Sequence, residues 1–184
     1  MTLTELIKAL GYPDQINDVE YMVETQGDKF YFIDAVPFVV EEKNAYKLDQ
    51  FEDQFTGHGD QYCLLEDHFV NTLEILWLYN DFYVEIRPDI LDKIARKDMR
   101  RIELKKLLKM TLKFYKIEDL KELKMLVKLT RRTVIFPVFY LYDYKIVIYH
   151  AFCGFLLYIR DDEYVDVVRE IVNANGLYLR KYEE

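Results

Sequence analysis

Residues 133–160, TVIFPVFYLYDYKIVIYHAFCGFLLYIR, form the stretch that decides the fold. Val, Ile, Phe and Tyr dominate it, and these residues favour β-strands because their side chains pack well on a pleated surface. Asp143-Tyr144 and Cys153-Gly154 interrupt the apolar pattern. The sequence therefore predicts an antiparallel meander with strands over 133–142, 145–152 and 155–160.

The residues after this stretch predict a helix and a final strand. Asp161-Asp162 supplies the helix cap, apolar side chains follow at 164, 165, 168, 171 and 172, and residues 173–176 end the helix. Residues 177–182 are predicted to form the last strand. The chain is thus expected to close with a strand-helix-strand unit.

The middle of the chain predicts amphipathic helices. Leucines at strict helical spacing indicate one helix over 102–116, and an acidic first turn with a basic last turn indicates a second over 117–129. Residues 66–79 fit either a helix followed by a strand at 82–86 or a hairpin turning at Asn80-Asp81, and we favour the helix. In the helical alternative, Glu66 and Asp67 lie at its positive end.

The N-terminal third predicts a short helix and a hairpin. Residues 4–10 have helical spacing and end at Gly11, and two Tyr- and Val-containing runs, 19–24 and 29–32, are predicted strands joined by a turn at 25–28. Together with the rest of the pattern, this predicts a single α+β domain over 1–184. Its sheet is mostly antiparallel, with a central pair of amphipathic helices.

The composition favours a folded protein in a reducing compartment. Of 184 residues, 51% are apolar, only 6 are Gly and 4 are Pro, and 16 are Tyr. Two cysteines without close spacing predict buried, unpaired thiols and a cytoplasmic location. We expect no membrane span, since the longest apolar run is too short, and the start of the chain lacks the pattern of an export signal.

Charges are sorted along the chain. Residues 1–92 carry 5 basic and 20 acidic side chains, residues 93–132 carry 15 and 5, and residues 133–184 carry 5 and 8. The total is −8, but patches of one sign create potentials that can select partners. The two opposed blocks could compensate each other within one chain, or join two copies as a homo-oligomer.

The acidic block contains aromatic side chains in a predicted loop, which is the composition of a surface that steers and then grips a basic protein. We therefore predict a non-enzymatic protein-binding module, most plausibly an immunity protein or inhibitor that neutralises a basic, nucleic-acid-acting or toxin-like partner. The expected contact residues are Glu41, Glu42, Tyr46, Asp49, Phe51, Glu52, Asp53, Phe55, Asp60 and Tyr62.

Binding of nucleic acid or another polyanion is the first alternative, although the acidic block opposes it. The lysines of the basic block, residues 93–132, lie at helical spacing with little Glu among them. The predicted helices therefore carry a positive surface that is also solvated. The candidate residues are Arg96, Arg100, Arg101, Lys105, Lys109, Lys124 and Lys128.

A metal-dependent enzyme is the second alternative, with His58, Cys63 and His68 as weak ligand candidates. Their spacing matches no zinc pattern, and a buried cysteine beside a helix start explains them equally well. No phosphate-binding Gly-rich loop, nucleophile elbow or metalloprotease helix is present. We therefore predict no metal, no cofactor and no catalytic residue. His150 is expected to lie at a strand end in the core.

Overall fold

The computed structural model describes residues 1–38, 47, 60–86, 114–132, 135–151 and 154–182, with backbone alone for 60–64. The described residues form one antiparallel sheet flanked by helices, which confirms the predicted α+β class. The helices are α1 (Leu3–Leu10), α2 (Val19–Gln26), α3 (Asp60–Leu78), α4 (Leu120–Arg131) and α5 (Val165–Ala174). The strands are β1 (Phe30–Asp34), β2 (Phe82–Glu85), β3 (Phe114–Lys116), β4 (Val138–Leu141), β5 (Ile146–Ala151), β6 (Gly154–Ile159) and β7 (Tyr178–Lys181).

The sheet has the strand order β3-β2-β4-β5-β6-β1-β7, and each neighbouring pair is antiparallel. The predicted meander is confirmed as β4, β5 and β6, and the C-terminal strand-helix-strand unit is confirmed as β6, α5 and β7. The N-terminal strand β1 lies between β6 and the edge strand β7, so chain segments far apart in sequence form neighbouring strands.

Helices cover both faces of the sheet. On β5, Ile146 and Ile148 belong to one buried cluster with α3, α4 and α5, whereas Val147 and Tyr149 belong to a second with α1. All six residues of β6 are likewise buried. Burial on both faces explains why the meander is a nearly continuous apolar run rather than an alternating one.

The first strand and the turn of the predicted N-terminal hairpin are wrong in type. Residues 19–24, predicted as a strand, form helix α2, because the Asp18 carboxylate caps it by accepting from the Tyr21 amide at 3.1 Å and Met22 is buried. The predicted turn at 25–28 is therefore the end of α2 and a 3-10 turn. Cap and burial outweigh the β-propensity of Val and Tyr.

The helix predicted over 102–116 does not extend to its end, because Phe114–Lys116 is strand β3. The Phe114 and Tyr83 rings stack with centroids 5.5 Å apart, and such aromatic cross-strand pairs stabilise a sheet. Residues 101–113 lie outside the described part of the chain. The second helix of the pair is confirmed as α4.

The favoured helix-then-strand assignment for residues 66–86 is confirmed by α3 and β2. The helix begins at Asp60, however, so Glu66 and Asp67 lie in its second turn and not at its positive end. Asn80 lies in the turn between α3 and β2 and is buried. Its side-chain amide donates to the Leu76 carbonyl at 2.8 Å, and its side-chain oxygen accepts from the Tyr144 backbone amide at 2.9 Å.

His150 lies on β5, as predicted. Its ring meets the Phe136 ring edge-on with centroids 4.6 Å apart, and its buried Nε2 has no hydrogen-bond partner among the described residues. Burial, with a smaller contribution from the Arg131 charge, lowers the pKa of His150 from 6.5 to about 4. The folded protein therefore holds this ring in its neutral form.

His150 is expected to make the fold less stable in acid. Its folded pKa is below its unfolded one, so stability is fully present above about pH 6.5 and is lost as the pH falls toward 4. Urea midpoints of wild type and His150→Leu between pH 7 and pH 4 should diverge, with the steeper loss in wild type. Parallel pH curves for the two proteins would contradict this.

Candidate functional site

The predicted acidic contact surface falls almost entirely outside the described residues. Its members from Glu41 to Phe55 lie there, while Asp60 and Tyr62 are placed only as backbone in the first turn of α3. Their role as contacts stays a prediction.

The predicted polyanion surface is partly described, and the two members described face another helix. Lys124 contacts Glu74 of α3, with Nζ 2.6 Å from Oε1. Lys128 contacts Asp67 at 3.1 Å and Glu66 at 3.6 Å. Arg96, Arg100, Arg101, Lys105 and Lys109 lie outside the described residues. Lys124 and Lys128 are therefore engaged within the chain.

Glu66 is the centre of this charge pairing. Its carboxylate is 1% exposed and accepts two hydrogen bonds from Arg132, at 2.7 Å and 2.9 Å. Arg131 adds a contact to the same interface, because its guanidinium lies 4.2 Å from the Phe69 ring centroid. In this part of the chain, acidic and basic side chains compensate each other across the α3-α4 interface.

The predicted metal candidates are not brought together in the described residues. His58 lies outside them, Cys63 is placed only as backbone in α3, and the His68 Nδ1 shares a hydrogen bond with the Asn175 carbonyl. In the part of the chain that the structure describes, no group of three His, Cys, Asp or Glu side chains is placed to hold a metal ion.

A second acidic surface, missed from sequence, lies on α2 and on the chain segments directly before and after it. Between Lys8 and Lys29 the chain has five acidic residues and no basic one, and all five are exposed. We call this set the N-terminal acidic surface; it comprises Asp14, Asp18, Glu20, Glu24 and Asp28. Among the described residues, no ion pair joins any of the five to a cation.

An open depression of about 530 Å³ lies in this surface, lined by Gln15, Asn17, Asp18, Val19 and Glu20. The buried Tyr140 hydroxyl hydrogen-bonds to the Asn17 side chain and also reaches Glu85, at 3.3 Å. Tyr21, on the adjoining turn of α2, is 40% exposed. The surface thus combines carboxylates, an aromatic ring and a concavity.

Sequence reasoning missed this surface because it assigned α2 to a strand, which divides its side chains between two faces of a sheet. The signal was nevertheless present: twenty consecutive residues, 9–28, contain five carboxylates and no cation.

No helix among the described residues has the length and apolar character needed to cross a membrane. Comparison with protein-family models, curated proteins and solved structures finds no match to this chain.

Proposed function

We propose that this chain is a non-enzymatic protein-binding module, an immunity protein or inhibitor that neutralises a basic, nucleic-acid-acting or toxin-like partner in the cytoplasm. One observation carries the proposal: the five carboxylates of the N-terminal acidic surface are exposed and no described cation pairs with them. Glu66, Asp67 and Glu74 of α3, by contrast, are paired with Arg132, Lys128 and Lys124.

The mechanism is a steered encounter followed by a desolvated contact. Exposed carboxylates that lack a cation attract a basic surface and raise the association rate, over a range of roughly 8 Å at physiological ionic strength. Tyr21 then supplies a flat ring that loses water on contact. The acidic and aromatic residues between Glu41 and Tyr62 are proposed to contact the same partner.

Polyanion binding is supported less well, because Lys124 and Lys128 are already paired with α3. A phosphate backbone would have to displace those carboxylates, while the N-terminal acidic surface repels it.

Charge reversal on α2 tests the proposal. A protein captured from native extract on the wild-type chain should be basic and should lose its own activity when the chain is added in equimolar amount. Glu20→Lys/Glu24→Lys should lower its association rate at low salt at least ten-fold, because like charges now meet. Stopped-flow association kinetics at 50 mM and 500 mM salt provide the measurement.

The matched control is Asp166→Lys/Glu170→Lys on α5, which changes net charge equally, with the same spacing of four residues along a helix. This control should lower the association rate less than three-fold. Equal losses in the two variants, or an association rate of wild type that does not depend on salt, would overturn the proposed function.

A further inference from the structure

Five tyrosines from distant parts of the sequence meet at one end of the sheet. They lie on the α3-β2 turn, on β2, in the β4-β5 turn and in the 3-10 turn before α5. We call this surface the tyrosine end; its rings are Tyr79, Tyr83, Tyr142, Tyr144 and Tyr164. Tyr79 is 61% exposed and Tyr142 is 36% exposed, and the neighbouring Leu78 is 69% exposed.

The turns that hold these rings are locked to each other. The Tyr142 amide donates to the Asp81 carbonyl at 3.0 Å, and the Asp81 amide donates to the Asp143 carboxylate at 2.8 Å. The bond from the Tyr144 amide to buried Asn80 completes the clamp. Since backbone groups make these bonds, the rings are presented on a rigid support, which lowers the entropy cost of binding.

The rings themselves are arranged in two groups. Tyr144 and Tyr164 stack with centroids 4.7 Å apart and planes at 16°, and Tyr83 lies 6.3 Å from Tyr142. Burial raises the pKa of Tyr83 and Tyr144, so both are neutral phenols at neutral pH. Exposed neutral rings offer electron-rich faces to a cation.

This end is negatively charged after its ion pairs are formed. Each of its four cations has a carboxylate partner: Lys29 with Asp162 at 2.8 Å, Lys116 with Asp81 at 2.7 Å, and Lys145 and Arg160 with Asp161 at 2.6 Å and 3.8 Å. Six acidic residues lie with these four cations, namely Asp81, Glu118, Asp143, Asp161, Asp162 and Glu163. The local charge is therefore −2.

We propose that the tyrosine end is a docking surface for an arginine-bearing segment of a basic protein. A guanidinium stacks on a phenol ring and donates two parallel hydrogen bonds to a carboxylate, and a lysine ammonium cannot match this planar geometry. Exposed rings beside a net negative charge fit that side chain better than an apolar or acidic one. The surface shares no residue with the N-terminal acidic surface, so each proposal can fail alone.

Nona-arginine and nona-lysine peptides are the probes, and isothermal titration calorimetry at 50 mM salt gives both affinities. Wild type should bind nona-arginine at least five-fold more tightly than nona-lysine. In Tyr79→Ala/Tyr142→Ala, the nona-arginine affinity should fall about ten-fold and the nona-lysine affinity less than two-fold, because two ring contacts are lost.

The control Tyr178→Ala removes a ring that is 40% exposed elsewhere, and should leave the arginine preference intact. Tyr79→Phe/Tyr142→Phe keeps the ring faces and should also retain it. The α2 variant Glu20→Lys/Glu24→Lys should lower the affinities for both peptides by the same factor. This result separates the docking proposal from the proposed function. Equal wild-type affinities for the two peptides, or an equal loss in the control, would overturn the docking surface.

Discussion

Gly154→Ala is expected to lower the free energy of unfolding by about 3 kcal/mol, the upper part of the range for overpacking in a core. Gly154 begins β6 and pairs with Ala151, the last residue of β5. A Cβ atom at this position would overlap the backbone carbonyl oxygen of Ile33 in β1. A backbone atom of an interior strand cannot move aside as the end of a flexible side chain can, so the β1-β6 pairing must shift.

Gly27→Ala is the matched control for this substitution. Gly27 has a right-handed helical backbone with φ −54°, and nothing lies within 4 Å of an added Cβ. Its replacement should therefore leave stability unchanged or raise it by about 0.5 kcal/mol through the unfolded chain. Urea midpoints of the two variants measure the difference, and a loss in Gly154→Ala no larger than in Gly27→Ala would refute the expectation.

The Gly154 contact shows what local sequence signals can and cannot predict here. The turn at Cys153-Gly154 is visible in sequence because the apolar run is broken there, and β4 to β6 follow from it. The approach of β1 to Gly154 is not visible, since β1 is more than a hundred residues earlier and nothing local specifies its neighbours. Strand order depends on packing between distant segments.

Helix α2 shows a second limit of prediction from local sequence. Its Val and Tyr residues favour a strand, and its helical form depends on one cap at Asp18 and the burial of Met22 beneath α1. Such a short helix draws most of its stability from packing rather than from propensity. The acidic run over 9–28 can be read from the sequence, but its display on one helix depends on the fold of α2.

The tyrosine end shows the same limit for a candidate site. Tyrosine content was clear from composition, and the turns at Asn80-Asp81 and Asp143-Tyr144 were both visible as breaks. Their meeting in space depends on the β2-β4 register, which pairs Phe82 with Leu141. A surface assembled across strands therefore cannot be found from any one segment, whereas an acidic run within one segment can.

Arg132→Ala is expected to cost about 3 kcal/mol of stability, and Glu66→Leu less than 1 kcal/mol, although the two residues form the same ion pair. The difference lies in their exposure. The Glu66 carboxylate is 1% exposed, so removing Arg132 leaves a buried charge whose nearest remaining cation is Lys128 at 3.6 Å. Arg132 is 48% exposed, so water solvates its guanidinium when Glu66 is removed.

The double variant Glu66→Leu/Arg132→Ala decides whether this account is right. With the buried carboxylate gone, loss of Arg132 should cost little, so the double variant should be about 2 kcal/mol more stable than Arg132→Ala alone. Urea unfolding of the wild type, both single variants and the double variant gives this coupling free energy. Equal losses in the single variants, or losses that simply add in the double variant, would show that desolvation of Glu66 does not govern the α3-α4 interface. The predicted asymmetry instead assigns the interface a structural role, because a carboxylate that α4 must neutralise for the chain to fold stably is not available to attract a basic partner.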